Sequence, residues 1–189
     1  MTEAEFIEVI LANPANRALL DRLPDLGLSD AWLVSGALFQ TAWNHLTGRP
    51  PGHGIKDYDI FYFDDTDLSW EAEDAVIKRA ADLFADLDVE IEMRNQARVH
   101  LWYESHFGVP YPLLASSREG IDRFLAKACM VGVQPGAAGP DLYAPAGLED
   151  IVALIIRPNL TANFDAGHYR AKAARWTSCW PELRVIEAT

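Results

Sequence analysis

Residues 33–63 read LVSGALFQTAWNHLTGRPPGHGIKDYDIFYF. An apolar strand passes through Ser35-Gly36 into a helix, and Asp57-Tyr58-Asp59 opens a second apolar strand. Because side chains alternate across a strand, both aspartates are predicted to lie on one face, where their carboxylates can share a divalent cation. A glycine at a strand-to-helix turn lets a phosphate approach the backbone, and the first helical N–H groups favour that anion. The stretch therefore predicts a metal site beside a phosphate site, which suits nucleotide chemistry.

The composition is that of an ordinary globular protein. The chain has 189 residues, of which 50% are apolar and 11% aromatic. We expect a single domain over residues 1–189, with N-terminal helices in 1–28 and a C-terminal helical segment in 147–189 packed on the core. No apolar run reaches the roughly 18 residues that span a bilayer, and the acidic start of the chain lacks the basic region of a signal peptide. These features predict a cytoplasmic protein without membrane contact.

The charge of the chain bears on its partners. The formal net charge is -12, with 28 acidic and 16 basic residues. Such a surface repels a phosphate backbone, so long nucleic acid is a poorer candidate than a small substrate.

The rest of the pattern alternates between helical and strand periodicity. Residues 89–103 alternate apolar and polar side chains, which predicts a strand or a hairpin broken near Asn95-Gln96. The glycine- and proline-rich segment 47–56 is predicted to be a mobile loop. The remaining predicted elements are helices over 3–12, 15–23, 37–46, 71–84, 116–124, 147–156 and 169–177, and strands over 31–34 and 129–133.

Glu92 supplies a third carboxylate, because it lies in the alternating segment after the Asp57 strand. Glutamates in such a segment also line the solvent face of many strands, and aspartates are common where a loop enters a strand. If the three acids meet, they form a set of oxygen donors that suits Mg²⁺. Arg94 shares the face of Glu92 and either pairs with it or, like Arg98, binds a triphosphate through its guanidinium group.

A family resemblance rests on several of these segments. The segments that carry it are Val34-Ser35-Gly36-Ala37, Trp43-Asn44, Asp57-Tyr58-Asp59-Ile60, Glu92 to Trp102, and Arg157-Pro158-Asn159. Together they resemble an uncharacterised bacterial nucleotidyltransferase-like family within the polymerase-β-like nucleotidyltransferase superfamily. The resemblance covers most of residues 30 to 160.

The resemblance implies an α+β fold with a mixed sheet flanked by helices, and an NTP bound between the glycine turn and the carboxylates. Carried over, Asp57, Asp59 and Glu92 would be the catalytic metal ligands, and Gly36 would contact phosphate. Ala37 stands where the superfamily usually has serine or a second glycine, so Ser35 would have to supply a hydroxyl contact. The interval from Gly36 to Asp57 is also longer than in the common pattern.

Three functions follow as hypotheses. The first is a Mg²⁺-dependent nucleotidyltransferase that moves a nucleoside monophosphate from an NTP to a small-molecule or protein hydroxyl. The second is a degenerate member of the same fold that binds a nucleotide or a protein partner without turnover. The third is a metal-dependent phosphohydrolase. The acceptor, the base preference and the oligomeric state are not predicted by the sequence.

Overall fold

The computed structural model describes residues 1–188 and has a five-stranded sheet of order β3-β2-β1-β4-β5 at its centre. The strands are β1 (Trp32–Val34), β2 (Tyr58–Tyr62), β3 (Ile91–Asn95), β4 (Gly132–Gln134), β5 (Asp141–Tyr143), β6 (Ile155–Ile156) and β7 (Arg184–Val185). The α-helices are α1 (Glu3–Leu11), α2 (Pro14–Arg22), α3 (Gly36–Leu46), α4 (Trp70–Leu83), α5 (Val99–Phe107), α6 (Ser117–Ile121), α7 (Glu149–Val152) and α8 (Ala166–Cys179). Of the helices within residues 1–188, none has the length and apolar character that crossing a bilayer requires.

The sheet is mixed, as predicted. Strand β2 pairs in parallel with β3, whereas β1 pairs antiparallel with both β2 and β4. In β2 the buried side chains Tyr58, Ile60 and Tyr62 alternate with the half-buried Asp59 and Phe61. The apolar face packs into the main hydrophobic core, and the face that carries Asp59 packs in part against a second cluster of Trp32, Val34 and Ile121.

The two N-terminal helices form as predicted and hold the central elements in place. Helix α1 begins with a capping box formed by Thr2 and Glu5. The buried Asn16 donates from Nδ2 to the Ala37 carbonyl at 2.9 Å. The buried Asn13 donates to the Tyr58 hydroxyl at 3.1 Å. Helices α1 and α2 are therefore tied to the start of α3 and to β2.

The prediction of a long strand or hairpin over residues 89–103 was wrong in its second half. Strand β3 ends at Asn95, whose side-chain oxygen accepts a hydrogen bond from the Ala97 backbone N–H at 3.1 Å. This Asx turn ends the extended backbone. Val99, Trp102 and Tyr103 then follow at helical spacing in α5. Strand alternation and helical spacing overlap in this segment, and the side-chain turn decides between them.

Three shorter elements also differ from prediction. Helix α6 ends at Ile121 rather than Phe124, because Asn159 donates to the carbonyls of Asp122 and Phe124 at 2.8 and 2.9 Å. Residues 147–156 form the short helix α7 and then β6, because Leu154 takes a left-handed backbone conformation with φ 56°. The predicted strand over 129–133 begins only at Gly132.

The loop over residues 47–56 is irregular, as predicted, but it is pinned rather than loosely attached. The buried Asn44 donates from Nδ2 to the carbonyls of Pro51 and His53 at 2.9 and 2.8 Å. Its Oδ1 accepts a hydrogen bond from Trp180 Nε1 at 2.8 Å. One amide thus joins α3, the loop and the end of α8.

We predict that Asn44→Ala lowers the free energy of unfolding by about 2 to 4 kcal/mol, because buried polar groups lose their partners. Urea unfolding at neutral pH measures the change. His45→Ala is the matched control, since His45 is the next residue of α3 and is exposed. Equal stabilities of the two variants would contradict the role assigned to Asn44.

Candidate active site

A cleft of about 840 Å³ lies over the face of the sheet that carries Asp59 and Glu92. Its lining comes from β2 and β3 on one side and from α5 and α8 on the other. Ser35 at the start of α3 and Cys129 also line it. Ligand pockets have this size, and a few polar groups set in an aromatic surface are typical of them.

The sheet register places the acidic residues. Val34 of β1 is paired with Asp59 of β2, and Asp59 is paired in turn with Glu92 of β3. The three residues form a row across the sheet, and Asp59 and Glu92 both line the cleft. Phe61 and Arg94 form the next row on the same face because side chains alternate along a strand. Carboxylates from two strands, those of Asp59 and Glu92, therefore meet on this face.

Asp57 lies just before β2 and differs from the other two acids. Its Oδ2 forms an ion pair with Lys56 Nζ at 3.0 Å. Within the described residues 1–188, the lining of the cleft does not include Asp57. It lies close enough to affect the ionisation of Asp59 but is turned toward a surface lysine.

The three acids do not form a ready-made metal cluster. In the chain from Met1 to Ala188, no group of three or more His, Cys, Asp or Glu side chains is placed to hold a metal ion. Asp57 is paired with Lys56, and Glu92 Oε2 is paired with Arg94 Nη2 at 3.0 Å. The donor chemistry of these carboxylates suits a hard cation, but Lys56 and Arg94 would have to release them. The metal site remains a prediction.

Asp59 has a strongly altered ionisation. Burial, and then the neighbouring charges of Asp57 and Glu92, raise the pKa of Asp59 to about 7. Lys172 and Arg94 act in the opposite direction. Unlike Asp57 and Glu92, Asp59 has no ion pair within 4.0 Å among the described residues. A bound cation would offset the excess negative charge at this position.

We predict that Asp59→Asn stabilises the metal-free protein at pH 8. The folded-state pKa lies above the ordinary value of 3.8, so protonation of Asp59 gives stability that is complete below pH 3.8 and is lost as the pH rises through 7. The advantage of the variant should therefore grow between pH 4 and 7 and then level off. We expect about 2 kcal/mol, since a pKa unit is worth about 1.4 kcal/mol and solvent screens part of it.

Urea unfolding in EDTA at pH 4.5, 6 and 8 tests this prediction. Asp65→Asn serves as the control, because Asp65 is exposed in the loop after β2. A constant difference between Asp59→Asn and wild type across this pH range would show that Asp59 is not held in a proton-retaining environment.

The turn into α3 differs from the prediction in the residue that makes it, which is Ser35 rather than Gly36. The residue with the unusual backbone is Ser35, at φ 52° and ψ −114°, and Gly36 does not have a positive φ. The Ser35 N–H donates to the Val131 carbonyl at 2.8 Å, and its side chain makes no capping hydrogen bond to α3. A Cβ on Gly36 would lie 2.8 Å from Gln40 Nε2. Gly36 thus makes room for a buried side chain, and Ser35 is the turn residue that lines the cleft.

The two candidate arginines have different surroundings. Arg94 is half-buried, and its bond to Glu92 is the pairing that the sequence left open as one alternative. Arg98 is buried, forms an ion pair with Glu73, and donates from Nε to the Leu68 carbonyl at 2.8 Å. Arg98 therefore joins β3, α4 and the loop before α4. These contacts weigh against a role for Arg98 in binding phosphate.

Lys172 is a cleft residue that the sequence reasoning missed. It lies on α8, lines the cleft and lowers the pKa of the Asp59 carboxyl. It is exposed and forms no ion pair within 4.0 Å inside residues 1–188. Tyr169, Lys172 and Trp176 share one face of α8 by helical spacing. That spacing is the sequence signal that could have identified Lys172 as a residue of the same surface as the two aromatic side chains.

The aromatic side of the cleft was also missed. Trp102, Tyr103 and Phe107 line it from α5, the helix that was predicted as a strand. As a strand, this segment would have turned Trp102 and Tyr103 to opposite faces.

A mixed sheet that sets strand carboxylates beside a strand-to-helix turn defines an α+β protein of the polymerase-β-like nucleotidyltransferase class. A family model described as "Nucleotidyltransferase" matches residues 21–185, so the chain belongs to this nucleotidyltransferase family. A solved structure described as "The NMR structure of the protein reveals a CCA-adding enzyme head domain" has a TM-score of 0.80 and 26% identity, covering 99% of this chain and 97% of that one. The search of curated proteins found no match.

Proposed function

We propose that this protein is a Mg²⁺-dependent nucleotidyltransferase that transfers a nucleoside monophosphate from an NTP to a hydroxyl acceptor. The observation that carries the proposal is the pairing of Asp59 with Glu92 at the floor of a large cleft, in a chain of the nucleotidyltransferase family. The ligands of the cation would be Asp59, Glu92 and, after release from Lys56, Asp57. Bound there, Mg²⁺ would supply charge neutralisation for the triphosphate.

The reaction is an exchange at the α-phosphorus. The acceptor oxygen forms a bond to that phosphorus, the bond to the bridging oxygen of the β-phosphate breaks, and pyrophosphate leaves with the bonding electrons. The acceptor proton passes to a carboxylate of the cleft. Glu92 is one candidate for this base once its Oε2 is released from Arg94. Asp59 would serve as a ligand of the cation, because the excess negative charge around its carboxyl favours a bound cation.

The basic residues of the cleft would bind the triphosphate. Lys172 suits this role, since it has no ion-pair partner in the described chain and acts electrostatically on Asp59. Arg94 would contribute once Glu92 turns to the cation. The cleft and the net charge of -12 favour a small-molecule acceptor over long nucleic acid.

We predict that Asp59→Asn lowers the rate of Mg²⁺-dependent pyrophosphate release by at least about a hundredfold, because a charged ligand of the cation is lost. The assay uses the four NTPs with nucleosides, sugars and a serine- and tyrosine-containing peptide as acceptors. Asp65→Asn is the control for charge and should match wild type. Activity that survives in Asp59→Asn would remove the proposed site, and release with water alone as acceptor would indicate a phosphohydrolase.

We predict that Lys172→Ala raises the KM for the NTP about tenfold, which corresponds to about 1.4 kcal/mol for one lost phosphate contact. The matched control is Arg175→Ala, because Arg175 is exposed on the same helix and is absent from the cleft lining among residues 1–188. Steady-state kinetics with the acceptor held constant measure the change. A KM equally raised in both variants would indicate a general loss of positive charge.

A non-catalytic nucleotide-binding protein is the second candidate. The Lys56–Asp57 and Arg94–Glu92 pairs favour it, because they leave no three-group metal site within residues 1–188. Calorimetry distinguishes the two functions. Nucleotide affinity that is unchanged by EDTA, together with no pyrophosphate release for any acceptor, would favour binding without turnover.

A further inference from the structure

A continuous set of rings forms one side of the cleft, and we call it the aromatic wall. Tyr103 lies at its centre, with ring centroids 4.6 Å from Phe107 and 4.4 Å from Tyr111. Phe107 continues the set to His168 of α8 at 5.4 Å. The members of the aromatic wall are Trp102, Tyr103, His106, Phe107, Tyr111 and His168, and all of them line the cleft.

The aromatic wall is not part of the hydrophobic core. Val99 is the buried residue of α5, whereas Trp102 and Tyr103 are half-buried. The core clusters found within residues 1–188 contain none of the rings of the wall. Helix α5 thus presents its rings to the cleft, whereas Leu101, directly before Trp102, is 55% exposed and does not line the cleft. Half-buried rings that line a cleft offer flat surfaces for a ligand to stack on.

Two donors that lack a partner within the described chain line the same cleft. Trp176 is 4% exposed and lines the cleft, and its Nε1 has no hydrogen-bond partner within the described chain. Arg123 also lines the cleft, and its buried Nε lacks a partner there as well. A buried donor without a partner is costly, so both groups favour a ligand that offers acceptor atoms. Burial and the nearby Tyr103 raise the pKa of Tyr111, which keeps its hydroxyl protonated as a further donor.

We propose that the aromatic wall binds a nucleobase, stacked on Trp102 and hydrogen-bonded at its edge by donors such as Arg123 and Trp176. A nucleobase combines a flat ring with carbonyl and ring-nitrogen acceptors, which matches both sets of groups. The inference rests on the proposed function, because the base would belong either to the donor NTP or to a nucleoside acceptor. In both cases the ring lies in the same cleft as Asp59 and Glu92.

Binding measurements separate the base from the phosphates. Calorimetry with Mg²⁺ compares the four NTPs with inorganic tripolyphosphate, which has no base. For a base supplied by the donor, we expect wild type to bind at least one NTP about tenfold more tightly than tripolyphosphate, as stacking on one aromatic ring provides. Trp102→Ala should lose this difference, Trp102→Phe should keep most of it, and the neighbouring Leu101→Ala should match wild type.

A second arm tests the acceptor as the source of the base. Each of four nucleosides is titrated into protein saturated with tripolyphosphate and into protein saturated with an NTP. If the base belongs to the acceptor, a nucleoside binds in both cases and Trp102→Ala weakens that binding about tenfold or more. If neither the NTP preference nor nucleoside binding depends on Trp102, the proposal is overturned.

These measurements do not require turnover. Base-dependent binding without pyrophosphate release would remove the proposed catalysis and leave the nucleobase site. Pyrophosphate release that is insensitive to Trp102→Ala, with no base-dependent binding, would remove the nucleobase site and leave the proposed catalysis.

Discussion

The pairing of three neighbouring strands is the constraint on which the site depends. Val34, Asp59 and Glu92 stand in one row because β1, β2 and β3 pair in a single register. A slip of one residue would turn the carboxylates into the core and the apolar residues outward. Ile60 and Met93 are both at most 2% exposed on the other face, so their burial strongly opposes such a slip. The packing of the core thereby determines on which face of the sheet the carboxylates of Asp59 and Glu92 lie.

A buried polar junction connects this row to the opposite side of the cleft. Glu73 of α4 accepts a hydrogen bond from the Asn95 backbone N–H at 2.8 Å and also pairs with Arg98. Asn95 ends β3, and Arg98 directly precedes α5. The junction thus sets the direction in which α5 leaves the sheet. The contacts of Arg98 in this junction explain why this residue, a candidate phosphate ligand in the sequence, supports the fold instead.

Local patterns were enough to predict the central elements. Alternation put Glu92 and Arg94 on one face of β3, and helical spacing predicted α3 and α4 to within a residue or two. The Asx turn at Asn95 is a local feature that strand alternation concealed, whereas other features depend on contacts between residues that are distant in the chain. Arg98 is paired with Glu73, 25 positions earlier, and Lys172 reaches Asp59 from the last helix. The positive φ of Ser35 is similarly tied to its bond with the Val131 carbonyl, which local propensity does not encode.

The crowding of negative charge around Asp59 has a kinetic consequence under the proposed function. A bare triphosphate that approaches Asp57, Asp59 and Glu92 meets three acids in a protein of net charge -12. Like charges in a cleft slow association, and a counter-ion carried by the ligand reverses that effect. We therefore expect an ordered encounter, in which the nucleotide arrives already complexed with its cation. The rate of capture would then follow the concentration of the complex rather than that of total nucleotide.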